Sequence, residues 1–519
     1  MMKQNGISVE HYTPILIVGT GISGLTAAYY LSKNNIKYTI VTKKNAPKQS
    51  NSFLSAANTR VPSENEINHI INLTIDKCGA DRSVIEALYR NSNIIINFFE
   101  ELEIPYEKTS FGIMPECLIK SHGGKKLINC LLQHIEQPMC NKILIHLEKY
   151  DQGIIAIFYD TQSDQFIRIF TNYLVLATGG YAGQFCFNDN SPGSTGETLI
   201  LAKKIGARLK GMSTVMCHPW SIYNGRQILL GGVVSLSQGK IIDEDGVQLL
   251  KDKYICDAIA RDDYHEMIDE ILKFQLECIK QKKDMYLDMS LADENVLNEK
   301  FKKYGFSPKV VKNKRIKITP TMHYSSGGIE INANAEAINL IRVFATGEAQ
   351  FNGDLGIGRI PGQAFASGIV FGKLIADKIV NEGVFNTQYP TSFKDPPETM
   401  QLYSKENNDF PIEEFQKKLS TLMMDLIASN SSVVSLSFHK KKLQESQNII
   451  LNRARGSGKR YEDILTLFFG YFVAMEIIED LEAKSGLLSN QKQEKRVAFS
   501  ANGKHHATIP KRGDPHGLA

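Results

Sequence analysis

The sequence predicts an α/β fold with a Rossmann-like core, and three observations point to it. A fully apolar run at Ile15 to Val18 is followed by Gly19-Thr20-Gly21-Ile22-Ser23-Gly24, a helical pattern over Leu25 to Asn34 and a second strand at Tyr38 to Thr42. In mid-chain a second buried-strand run, Tyr173 to Ala177, ends in Ala177-Thr178-Gly179-Gly180. Further on, Arg342 to Ala345 reads as another, ending in Thr346-Gly347-Glu348-Ala349. The length of 519 residues suggests roughly three domain-sized units at about 150 residues each. Hydrophobic residues at 42% and charged residues at 22% are ordinary globular values, so the chain can bury large cores.

The first element has the strand, glycine turn, helix, strand order of a dinucleotide-binding unit. Gly19 permits the tight turn, Gly21 lets the backbone approach a pyrophosphate, and Gly24 lets the helix pack close on the sheet. Phosphates would then sit at the helix N-terminus, beside Ile22 and Ser23. The second strand ends at Thr42, followed by Lys43 and Lys44, where an acidic residue would grip the ribose hydroxyls of NAD. A neutral hydroxyl or water must substitute, which disfavours NAD and is compatible with FAD. Either later strand end, taken alone, reads equally well as a glycine turn after a sheet strand. All three in order point to FAD, with Ala177, Thr178, Gly179, Gly180 and Glu348 as candidate contacts.

Composition narrows the function classes. A formal net charge of +4, with basic residues spread evenly, does not imply nucleic acid. The eight cysteines are scattered without a C-x-x-C pair, which points to a reducing compartment, the cytoplasm, and to neither a disulfide framework nor a zinc site. The N-terminus MMKQNGISVEHY has no apolar h-region and no Arg-rich amphipathic stretch, so neither a secretory signal nor a transit peptide is expected. The apolar run from Ile464 to Ile478 is about 15 residues against the roughly 20 that span a bilayer, and Glu479 and Asp480 end it. A buried helix is expected there. No metal-ligand cluster is visible, since His505 and His506 lie in a polar stretch where solvated histidines are the default.

Over most of residues 13–380 the chain resembles the flavoprotein subunits of fumarate reductase and succinate dehydrogenase, together with L-aspartate oxidase. Besides the three segments above, Cys217-His218-Pro219 is similar to the family's F-H-P-T, and His323-Tyr324-Ser325-Ser326-Gly327-Gly328 to its H-Y-T-C-G-G. Leu355-Gly356-Ile357-Gly358-Arg359-Ile360-Pro361-Gly362-Gln363-Ala364 is similar to H-G-A-N-R-L-x-x-N-S. The resemblance implies a Rossmann-like FAD-binding domain at residues 10–211 and 324–385, interrupted by a smaller α+β capping domain at 212–323. A helical C-terminal region at 386–484 and a mobile basic tail at 485–519 would follow. It also implies that His218, His323 and Arg359 hold a small carboxylate-bearing substrate between cap and flavin. Arginine suits this because its planar fork matches a carboxylate, and two imidazoles can donate to the other end. Each histidine alone would otherwise read as a hydrogen-bonded buried side chain. Gln363 and Ala364 are expected near the cofactor, with Lys43 and Ser50-Asn51-Ser52, and Glu348 is expected to accept a hydrogen bond from the ribityl chain.

The chain departs from the family at telling positions. The first arginine of the family's R-D-x-x-x-R, which moves the proton, is replaced in Cys256-Asp257-Ala258-Ile259-Ala260-Arg261, although Arg261 matches the second. A thiol could exchange a proton at a suitable pKa, but a small buried apolar role is the plainer reading. The polar pair of the family's L-T-E stretch is lost at Leu230-Gly231-Gly232, and Asn51 stands where membrane-complex members carry the histidine bonded to FAD. Noncovalent FAD is therefore expected. The sequence leaves three readings open: a hydride-transferring oxidoreductase like L-aspartate oxidase or fumarate reductase, a relative respecified for another substrate, or a flavoprotein without turnover that serves as a binding partner. The electron acceptor is not named by any motif.

Overall fold

A computed structural model describes residues 7–78, 81–110, 112–119, 122–150, 153–223, 227–230, 233–261, 267–303, 314–351, 360–383, 397–428 and 433–501. The first strand, β1 (Ile7–Val18), enters helix α1 (Ile22–Lys33), which returns to strand β2 (Thr39–Val41). β1 pairs in parallel with β2, Leu16 opposite Thr39 and Val18 opposite Val41. On its other edge it pairs in parallel with the strand Gln165–Leu176, Ile15 opposite Tyr173 and Val18 opposite Leu176. Ile15, Leu16 and Ile17 are fully buried, as a strand covered on both faces requires.

The Gln165–Leu176 strand has a divided far edge. Its first half pairs antiparallel with Gly153–Asp160, itself antiparallel to Lys142–Tyr150, and its last three residues pair in parallel with Val343–Ala345. The mid-chain and late strands expected from the sequence are thus adjacent, and both deliver their glycine turns to the same end of one sheet. The helix Gln363–Glu382 packs on α1, its Gly368 and Gly372 lying against Ile22, Ser23 and Thr26 so closely that a Cβ at either position would fall within 3 Å of them.

A second sheet is antiparallel, in the order Gln227–Leu229, Val215–Tyr223, Arg315–Ser325, Met285–Asp288, Ile241–Ile242. Together with the helices Lys253–Ala260, Ile268–Lys280 and Glu294–Lys303 it forms a smaller α+β body whose core includes Trp220, Leu287 and Phe301. The chain is therefore an α/β protein in which the Rossmann-like sheet is interrupted by an α+β insertion and followed by helices. Those helices are Ile412–Ala428, Val433–Arg453 and Gly458–Ala501. The apolar run expected to be a buried helix lies within the last, with Ile464, Phe468, Phe469, Val473 and Ile477 buried. Among the described residues no helix is long and apolar enough to cross a membrane.

The last helix differs from the sequence expectation by continuing to Ala501, into the segment read as a mobile tail from residue 485. Residues 487–501 are rich in Leu, Gln, Lys, Glu, Arg and Ala and contain neither glycine nor proline, so propensity carries the helix onward. The tail beyond it, with Lys504, Lys511 and Arg512, lies outside the described residues.

Candidate active site

A cleft of about 590 Å³ opens along the ends of β1, β2 and the two later parallel strands. Its floor begins where β1 stops. Gly19 has a φ of +117°, and a Cβ there would lie 2.2 Å from the Ala177 carbonyl oxygen, so only glycine turns the chain at this point. A Cβ on Gly24 would meet the Gly19 carbonyl at the same 2.2 Å, which brings α1 hard against the strand end. Gly21, Ile22 and Ser23 therefore line the cleft, while Gly24 is spent on packing. α1 has no side-chain cap from its own N-cap residue; the Ile22 N–H donates to Ser52 Oγ at 3.1 Å. A helix N-terminus with its partial positive charge is thereby presented to a phosphate.

The other walls bring together residues remote in sequence. Thr42, Lys43, Ser50, Asn51 and Ser52 line it, and so do Ala177, Thr178, Gly179, Glu348 and Ala364. Lys43 turns into the wall, where its Nζ lies 3.0 Å from Glu197 Oε1 and 2.9 Å from Thr195 Oγ1. Glu348 Oε1 accepts from the Ser325 N–H at 2.9 Å and from Ser325 Oγ at 3.0 Å. Gly180 is not on the cleft wall; it makes room for this contact, since a Cβ there would fall 1.7 Å from Ser325 Oγ. Gln363 also faces elsewhere: it is buried beside Gln350 and Ser367 in a separate cavity of about 20 Å³, enough for one water.

The substrate-binding candidates divide. His218 and His323 come from neighbouring antiparallel strands, with His218 opposite Thr321. The register shifts at His323, because Met216 pairs with Tyr324 and Cys217 with Met322. His323 is thus the extra residue of a β-bulge, a device that re-aims a side chain. It lines the cleft, and its Nδ1 lies 2.9 Å from Asp189 Oδ2. His218 is half-buried, its Nδ1 accepting from the Trp220 N–H at 3.2 Å, and does not reach the cleft wall. Arg359, Gly231 and Gly232 lie outside the described residues.

Cys256 and Arg261 sit on and just after the helix Lys253–Ala260, away from the cleft. The Cys256 thiol donates to the Leu250 carbonyl at 3.7 Å. Burial pushes its pKa up, and the carboxylates of Asp252 and Asp257 push it further. A thiol held protonated in this way is poorly suited to accept a proton. Arg261 is exposed at the helix end.

Sequence reasoning missed the segment from Asn188 to Glu197. Asn190 donates through Nδ2 to the carbonyls of Met322 and His323, at 3.0 and 3.3 Å, and accepts from Asn51 Nδ2 at 2.7 Å. Asn51 Oδ1 in turn accepts from the Ser191 N–H at 2.7 Å. The one signal was the run of short polar residues from Asn188 to Thr195, downstream of the Ala177 to Gly180 turn.

A family model described as FAD binding domain matches residues 14–362. The chain belongs to that family. It is an FAD-dependent oxidoreductase similar to L-aspartate oxidases and fumarate reductase flavoproteins. An L-aspartate oxidase of Pyrococcus furiosus is 24% identical over 384 residues, 71% of this chain and 78% of that protein. A fumarate reductase flavoprotein subunit of Haemophilus influenzae is 22% identical over 466 residues, 79% of this chain and 76% of that one. In fold, the chain matches an E. coli quinol fumarate reductase structure at TM-score 0.72 and 18% identity, covering 91% of this chain and 89% of that chain. The cleft itself fits FAD. Two buried oxygens of residues that line it, Thr346 Oγ1 and Asp189 Oδ1, have no hydrogen-bond partner among the described residues, as groups beside a polar ligand would.

Proposed function

We propose that this flavoprotein transfers hydride between FAD and a carbon of a small, carboxylate-bearing substrate. The observation that carries the reading is the placement of the bulged His323, fixed by Asp189, on the wall of the same cleft as the Gly19 to Gly24 turn and Glu348. FAD supplies the two-electron acceptor or donor through its N5 position. The chain supplies the positioning: the α1 N-terminus and the backbone at Gly179 and Gly347 take the phosphates and sugar, while Glu348 and Ala364 also line the cleft. Arg359 holds carboxylate oxygens, and His323 faces the reacting end of the substrate, with His218 on the adjoining strand. Closing the α+β body over the cleft would exclude water and strengthen these contacts.

FAD is held here without a covalent bond, because the carboxamide of Asn51 is not a nucleophile and is fully engaged with Asn190, Ser191 and Ser194. The domain division proposed is a cofactor-binding part at 10–211 and 324–385, a cap at 212–323 and a helical part from 386. Burial and the carboxylates of Asp252 and Asp257 disfavour the Cys256 thiolate, so the arginine position of the family's proton path offers no ready base here, which favours a substrate that differs from that of the relatives.

The test is the absorption spectrum of the purified protein, recorded before and after anaerobic addition of L-aspartate, succinate and related acids. Bleaching of the yellow colour by one acid is the expected result, and flavin released by acid precipitation would show the absence of a covalent bond. A yellow protein that no carboxylate bleaches, in either direction, would move the assignment to a binding role. A colourless protein that takes up no added FAD would overturn the cofactor placement.

A further inference from the structure

We propose that His323 is the proton acceptor of this site and that Asp189 is the positioning residue that makes it one. The inference rests on the hydride-transfer reading above and deepens it. In the oxidative direction a substrate gives up a hydride from one carbon to FAD and a proton from the adjacent carbon or nitrogen. The hydride carries the electron pair, so the group that takes the proton must be a base with an open lone pair. His323 Nδ1 faces Asp189 Oδ2 at 2.9 Å. A carboxylate at that distance holds the proton on Nδ1 and leaves the Nε2 lone pair toward the ligand. When Nε2 takes the proton, the same carboxylate stabilises the resulting imidazolium.

Three further observations support the pair. Asp189 and His323 keep only 13% and 28% of their side-chain surface exposed, so water competes weakly for the contact. Asp189 Oδ1 is buried with no hydrogen-bond partner among the described residues, so His323 is the one side chain seen to engage this carboxylate there. The loop that carries Asp189 is anchored to the backbone of His323 itself through Asn190, and to the cofactor side of the cleft through Asn51. Cys256, the residue at the family's arginine position, does not line the cleft, and burial with two neighbouring carboxylates disfavours its thiolate.

The experiment uses the full chain loaded with FAD and labelled with ¹⁵N-histidine, the His323 ring signals being assigned by their loss in His323→Gln. Expected in the wild type is a protonated Nδ1 and a bare Nε2, with the two tautomers mixing in Asp189→Ala. With the acid that bleaches the wild type, anaerobic bleaching in the near-isosteric Asp189→Asn should slow by about 100-fold or more. The affinity of Asp189→Asn for malonate, read from the flavin spectrum, should stay within about threefold of wild type, which a collapsed pocket would not allow. A wild-type His323 protonated on Nε2, or Asp189→Asn bleaching within threefold of wild type, would overturn the proposal. If no acid bleaches the wild type, the substrate reading fails, and the ring-nitrogen result alone decides the role of Asp189.

Discussion

Glu197 lies buried against Lys43 and Thr195 in the wall of the cleft. Burial alone would raise its pKa, but the Lys43 ammonium and the Thr195 hydroxyl outweigh it and hold the carboxyl below its ordinary value. A carboxyl depressed in the folded state contributes stability that is present above the unfolded pKa and lost as pH falls through the folded one. Lys43→Met leaves that carboxylate buried and unpaired. The expected cost is about 3–5 kcal/mol at neutral pH by urea unfolding, shrinking as pH falls and the unpaired carboxyl takes up a proton; an unchanged midpoint at neutral pH, or a cost that stays constant into acid, would show the pair to be uncoupled from folding. Gly180→Ala tests a different contact. Its methyl group would displace Ser325 and with it the anchored oxygen of Glu348, so FAD affinity should fall by about tenfold or more, measured by fluorescence titration of the apoprotein. At this scale the sequence shows Gly19, Gly21 and Glu348 plainly, because a turn geometry or a strand end demands each of them. It does not show Asp189 or Glu197. Their roles exist only once a loop of short polar residues folds back on β2 and on the bulge at His323, and neither contact leaves a periodic trace.

Elements were legible in proportion to how completely they are buried. The parallel strand ends at Ile15 to Val18, Tyr173 to Leu176 and Val343 to Ala345 are without charge and buried, and the sequence places their C-terminal ends within a residue. The extension of β1 back to Ile7 was not legible, since its register with Phe166 to Thr171 is supplied by a partner more than 150 residues away. The Gly153–Asp160 strand went unread for a similar reason: a short apolar run is told from a helix only by what it pairs with. The Gly458–Ala501 helix shows the opposite balance. Its first half is set by burial, Asp480 and Lys484 tie the next turns to Ser213 and Thr214, and the sequence beyond has the propensity to continue the helix. Phe469→Ala, in the buried half, should therefore lower stability by about 3–5 kcal/mol in urea unfolding while leaving the flavin absorption maxima in place. A shift of those maxima would show that the helix also shapes the cofactor site.

The long C-terminal helix joins parts of the molecule that lie far apart in sequence. Asp480 Oδ2 accepts from the Ser213 N–H at 3.0 Å and from the Ser213 hydroxyl, and Lys484 Nζ donates to Ser213 Oγ and Thr214 Oγ1 at 2.9 and 3.1 Å. Ser213 lies between the strand Leu209–Lys210 and the first long strand of the α+β insertion, Val215–Tyr223. Asp480→Ala should speed amide hydrogen exchange at Ser213, with the flavin spectrum unchanged; exchange at the wild-type rate would show that the backbone there is held by other groups. The Gln165–Leu176 strand ties the molecule together in another way, because it takes β1 on one edge and Val343–Ala345 on the other. A polypeptide made from its N-terminus at about 5–20 residues per second carries β1 and its glycine turn for tens of seconds before Val343 is synthesised. Until the ribosome has passed Ala364, the nascent chain lacks the part of the cleft that Glu348 and Ala364 supply, and the edge of Leu174–Leu176 that Val343–Ala345 covers stands open to chaperones and to neighbouring nascent chains.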